Sequence, residues 1–148
     1  MAAGRILGFD IGEARIGVAI SDDRGVVATP LVVLDRRALA SDKRPLSRLL
    51  DDYEPVCLVV GLPRTLAGDE GPQAQRIRDD AAELFAPFDI DVVFYDERNS
   101  SKEAARALRE VGMDARQARE KIDMMAAAII LQSYLDFSSA RFNTEMLG

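Results

Sequence analysis

The chain has 148 residues, 48% of them apolar and 30% charged, with a net charge of −6 and no histidine. That length suits one domain with a genuine core, and the mixed charge excludes a disordered chain. With no histidine and Cys57 as the lone cysteine, Ser-His-Asp and Cys-His nucleophilic designs and ordinary zinc sites are excluded. Chemistry must rest on carboxylates, hydroxyls, Lys and Arg. No apolar run approaches the ~20 residues of a membrane span, and the amino terminus carries no secretory segment. The chain therefore reads as cytoplasmic, with Cys57 as a small core side chain. An acidic chain of this kind meets a polyanion only through a local basic patch or a metal bridge.

Residues 5–10 alternate and end in the turn Asp10-Ile11-Gly12, which predicts a first strand. Residues 15–22 give a second and residues 26–34 a third, where Pro30 favours a sheet edge or a bulge. Three close strands with short polar turns make an antiparallel meander. A charged linker over 35–43 precedes a helix at 44–53, with Leu46, Leu49 and Leu50 on one face. The continuously apolar run 56–62 predicts a strand covered on both sides. A helix over 72–86 follows, with Ile77, Ala81, Leu84 and Phe85 as its stripe, then a strand at 91–95. Ser100 or Ser101 caps a helix to about 111, and Gly112 stops it. A last helix spans 115–137 and leaves 138–148 as a mobile tail.

The order predicts an α/β protein: a mixed five-stranded sheet, the meander extended by right-handed βαβ crossovers, with helices on both faces. The ribonuclease-H-like fold is the familiar arrangement of this type. No repeat or linker divides residues 1–148, so a single domain is expected.

Three carboxylates stand out within that order. Asp10 ends the first strand among apolar residues and glycines, an environment in which a charge needs a cation, a metal or a proton. Glu97 follows the last strand, and strand carboxyl ends are where open α/β sheets collect ligands. Asp123 interrupts the otherwise apolar run 122–130 at the margin of the last helix's packing face. Three hard oxygen ligands without histidine suit Mg²⁺ or Mn²⁺. Such ions clamp the attacking and leaving oxygens of an in-line phosphoryl displacement. Arg98, Lys102 and Arg106 recur at helical spacing as a basic stripe. Gly12 on one side and Gly68 and Gly71 of the 63–71 loop on the other flank a groove around Asp10, the glycines leaving room for a ligand, which places Arg15 and Arg64 to touch substrate phosphates.

These residues carry a resemblance. "GFDIGEARIGVAISD", "VVGLPRTLAGDEGPQA", "YDERNSS" and "KIDMMAAAIILQSYL" stand in the order found in YqgF/RuvX-type proteins, and the likeness covers residues 5–136. That family is described as pre-16S rRNA nucleases or Holliday-junction-resolvase-like proteins. The resemblance implies a ribonuclease-H-like fold, metal-dependent phosphodiester hydrolysis and 5′-end processing of precursor 16S rRNA. It also implies that Asp10, Glu97 and Asp123 are the acidic catalytic and metal-binding positions. Where the family places Leu after Asp-Glu-Arg, this chain has Asn99. The competing readings are a resolvase acting on DNA junctions and a non-catalytic nucleic-acid or protein-binding module of the same fold. A nucleotide enzyme of the actin and sugar-kinase type is disfavoured, because no second glycine-rich phosphate loop is present. The expected partner is nucleic acid, with no membrane, as a monomer or weak dimer.

Overall fold

The structure, a computed structural model, describes residues 4–63, 71–97 and 115–147, with side chains described to position 96 and over 121–138 of the last segment. Five strands form one sheet: β1 (Ile6–Ile11), β2 (Arg15–Ser21), β3 (Ala28–Asp35), β4 (Cys57–Pro63) and β5 (Val92–Glu97). Their order is β3-β2-β1-β4-β5. The β1–β2 and β2–β3 pairs are antiparallel, whereas β4 and β5 add in parallel to β1. The meander and its crossovers are thus as expected. The carboxyl ends of β1, β4 and β5 consequently share one end of the sheet.

Strand alternation divides the core into two layers. Leu7, Phe9, Ile11, Ile16, Val18, Leu58, Val60 and Leu62 face three helices: α1 (Arg36–Ser41), α2 (Arg44–Tyr53) and α3 (Pro72–Phe85). Ala19 and Val59 face a single long helix, α4 (Ala115–Leu147), through Ala127, Ile130, Leu131 and Leu135. Each layer removes apolar surface from water at roughly 25 cal/mol per Å². Phe9 and Phe85 meet edge-on at 5.1 Å in the first layer.

Several boundaries differ from the sequence-based expectations. The 35–43 linker contains α1, because the Asp35 carboxylate accepts the Ala38 amide at 2.9 Å and caps six helical residues that bury Leu39. Too short to show periodicity, α1 owes its existence to that cap and that contact. β3 begins at Ala28 rather than at 26 and is an edge strand; its pairing shifts where Val18 faces Val32 but Ala19 faces Pro30. Pro30 therefore satisfies both conditions expected of it, since it lacks a ladder donor. β5 extends to Glu97, so Glu97 is its last residue rather than one beyond it, in register with Pro63. α4 continues to Leu147, ten residues past the expected end at 137. No proline or glycine interrupts 138–147, so nothing local stops the backbone where the apolar stripe ends. Cys57 is half-buried rather than a core residue; burial, with Asp91 nearby, raises its thiol pKa. The helix expected at 100–111 lies outside the described residues.

Candidate active site at the carboxyl end of the sheet

The β1–β2 connection is built on glycine. The Gly12 amide donates to the Arg15 carbonyl at 2.9 Å, and a Cβ on Gly12 would stand 2.7 Å from that same oxygen. A side chain at position 12 would therefore force this tight return apart. Asp10, half-buried, pairs across the ladder with Gly17. It shares the alternation of Gly8 and so belongs to the α4 side of the sheet.

Glycines on that side were expected to make room for a ligand. They make room for α4 instead. A Cβ on Gly17 would fall 1.9 Å from the Asp123 backbone carbonyl, one on Gly8 2.7 Å from Leu131 Cβ, and one on Gly61 2.7 Å from Ile130 Cδ1. Backbone-to-backbone approach at Gly17 seats Asp123 one strand away from Asp10. This is a packing reason for the second glycine of D-I-G-E-A-R-I-G, and sequence reasoning missed it; the signal was a glycine inside an otherwise strong strand.

Asp123 is 23% exposed, and Arg15 Nε donates to its Oδ2 at 2.5 Å. Two residues assigned separate roles, ligand and phosphate contact, thus hold each other. On the opposite face, α1 and α3 grip the same turn. The Arg36 amide donates to the Ala14 carbonyl at 3.1 Å, and the Arg36 guanidinium to the Glu13 carbonyl at 3.1 Å. Arg76 donates to the Ile11 carbonyl at 3.4 Å. Asp80, 13% exposed, receives both guanidinia, Arg36 at 2.5 Å and Arg76 at 3.0 Å. Sequence reasoning did not find this trio. Only the Arg76–Asp80 spacing of four residues was visible, and that spacing is common on solvated helices.

Glu97 ends β5 at the same end of the sheet, with the alternation of Val93 and Tyr95. Its carboxylate and the whole of Arg64, Arg98, Asn99, Lys102 and Arg106 lie outside the description. Among the described residues no group of three or more His, Cys, Asp or Glu could hold a metal ion. The donors that are described, Asp10 and Asp123, are hard oxygens. One of them already holds a cationic side chain, which is the electrostatic demand that a divalent ion would meet. A cleft of about 430 Å³ lined by Arg15, Met124 and the Leu31–Asp35 part of β3 opens beside the pair.

This architecture matches solved structures. Thermus thermophilus RuvC in complex with a Holliday junction substrate superposes with a TM-score of 0.55 at 15% identity, covering 95% of this chain and 97% of that one. The yeast mitochondrial Holliday junction resolvase Ydc2 gives 0.51 at 14%, over 90% and 78%. The shared fold is the ribonuclease-H-like one, with the sheet end carrying Asp10 as its candidate centre. Sequence comparison narrows this further. The family model "RuvX: Holliday junction resolvase" matches residues 4–137. Relatives named "Putative pre-16S rRNA nuclease" include one from Moorella thermoacetica, 45% identical over 132 residues, 89% of this chain and 94% of the relative. Another, from Streptomyces avermitilis, is 42% identical over 139 residues, 92% and 88%. The chain belongs to the RuvX family, and it is an enzyme of the nuclease class.

Proposed function

We propose that the chain is a divalent-metal-dependent nuclease that trims the 5′ region of precursor 16S rRNA. The observation that carries this reading is the seating of Asp123 on Gly17, the ladder partner of Asp10. It brings a helix-borne and a strand-borne carboxylate to the sheet end where β5 finishes at Glu97. Asp10, Glu97 and Asp123 would hold Mg²⁺ or Mn²⁺, which when bound polarises the scissile phosphate and lowers the pKa of an attacking water. The protein's own part is positional. Asp10 is borne on a buried strand, and Asp123 on a helix whose backbone meets that sheet directly at Gly17. Gly12 closes the turn between Asp10 and Arg15. Arg15 lines the cleft beside β3, so a phosphate entering there meets a guanidinium able to leave Asp123 for it. Arg64, Arg98, Lys102 and Arg106 extend the phosphate track in this reading. The names of the relatives support rRNA as substrate. No helix of the described residues is long and apolar enough to cross a membrane.

The family description raises DNA junctions as the second substrate. One preparation should be tested on a precursor rRNA fragment and on a four-way DNA junction, with Mn²⁺ and with chelator. Metal-dependent cleavage of the rRNA fragment, lost in Asp10→Asn, is the expected result. Cleavage confined to the junction would transfer the activity to DNA. Undiminished cleavage by Asp10→Asn, or cleavage in chelator, would overturn the metal centre.

A further inference from the structure

We propose that Asp80 is a positioning residue for the catalytic end of β1, acting through Arg36 and Arg76 from the sheet face opposite α4. The inference rests on the reading of Asp10 as a metal-binding carboxylate. Two carbonyls of the turn that follows Asp10 are held by side chains from this side, Ile11 by Arg76 and Glu13 by the Arg36 guanidinium, while the Arg36 amide holds Ala14 as a continuation of the β2–β3 ladder. An arginine fork donates in several directions at once, and an ionised carboxylate accepts from two forks. Asp80 is the group that makes the arrangement specific. It is the most buried of the three at 13% exposed, against 32% for Arg36 and 27% for Arg76, and it ties α1 to α3 directly beneath the turn.

Without Asp80 the two guanidinia would face each other as unneutralised like charges and would turn toward water. A cleft of about 390 Å³, lined by Glu13, Arg36 and Asp80 among others, gives them that access. The turn would then lose its side-chain donors on this face and keep only the Arg36 amide bond to Ala14 and the Arg15–Asp123 pair. Structural partners behind a ligand set its orientation, and their loss typically weakens metal affinity by roughly 10–100-fold. The clamp touches no substrate, so its loss should act on the metal and on kcat rather than on KM.

The test compares the parent with Asp80→Asn, with Arg76→Gln as a second variant that keeps the Arg36–Asp80 pair. Asp42→Asn serves as control, since it breaks the exposed Asp42–Arg44 pair elsewhere. Amide exchange at Gly12 is measured on metal-free protein, Mn²⁺ affinity by calorimetry, and kcat and KM on the rRNA fragment. Expected for Asp80→Asn are faster exchange at Gly12, Mn²⁺ affinity down by roughly tenfold or more, and a fall in kcat at nearly constant KM. Arg76→Gln should move each readout the same way by less, and it alone decides if Asp80→Asn does not fold. Unchanged exchange, or faster exchange with parental Mn²⁺ affinity and kcat, overturns the proposal. Parental cleavage and affinity in Asp10→Asn would remove the site reading and the clamp's catalytic purpose together. That failure is recognisable because the exchange effect at Gly12 would persist.

Discussion

Arg15 and Asp123 neutralise each other across 108 residues of chain, and the proposed function needs each of them elsewhere. The pair is partly exposed, 39% for Arg15 and 23% for Asp123, so its strength falls in the range of about 0–1 kcal/mol typical of such pairs. A divalent ion competing for Asp123 has to overcome that amount. Arg15→Ala should therefore tighten Mn²⁺ binding by up to about fivefold. It should also raise KM for nucleic acid, because a phosphate contact has gone. Calorimetry with Mn²⁺ checks the first half; equal or weaker binding would mean that the guanidinium does not compete for the carboxylate. Asp123→Asn separates ligand from surface charge. A helix-surface Asp would change stability by no more than about 0.5 kcal/mol and leave activity intact. A ligand would lose most activity while α4 stayed folded.

Between elements, the decisive contact is α4 lying on a glycine-lined strip of the sheet. The three glycines differ in what a methyl group would meet. At Gly17 it meets the backbone of Asp123, which cannot swing away; at Gly61 it meets the flexible end of Ile130. Overpacking costs typically about 1–3 kcal/mol, occasionally more. Gly17→Ala should sit at or above the top of that range and Gly61→Ala near the bottom. For a domain of this size about 1 kcal/mol moves Tm by roughly 2–4 °C, so the two melts should be clearly resolved. Gly17→Ala should also weaken the stabilisation by Mn²⁺, since it moves Asp123 away from Asp10. Equal melting shifts for the two variants would show that α4 adjusts freely and that the strip does not set its height.

The whole molecule carries −6 and is asked to bind a polyanion. In the proposed function two features reconcile these facts: metal at the carboxylates and the basic track expected over Arg98, Lys102 and Arg106. Each makes a separable prediction. Millimolar Mn²⁺ should raise the Tm of the parent by mass action, by an amount equivalent to about 2.7 kcal/mol at a hundred times Kd, and raise that of Asp123→Asn less. Changing Lys102 and Arg106 together to Ala should weaken nucleic-acid binding and flatten its salt dependence, each phosphate contact contributing a slope of about 0.7–0.9. An unchanged slope would return both residues to an ordinary solvated face.

Much of this molecule was legible from residues alone, for local reasons. Alternation, proline placement and the apolar run 56–62 specify the strands and their order, because a strand's faces and breakers are written in neighbouring residues. The positions Asp10, Glu97 and Asp123 stood out for a related reason, since a charge within an apolar run is visible without coordinates. Contacts between distant segments were not legible. That Gly17 receives a helix rather than a ligand, that Arg15 holds Asp123, and that Asp80 joins Arg36 to Arg76 beneath the turn all depend on segments dozens of residues apart. Such contacts arise when the sheet closes and brings two faces of one turn against two sets of helices. Their partners have no fixed spacing along the chain, and only the packed tertiary structure selects them.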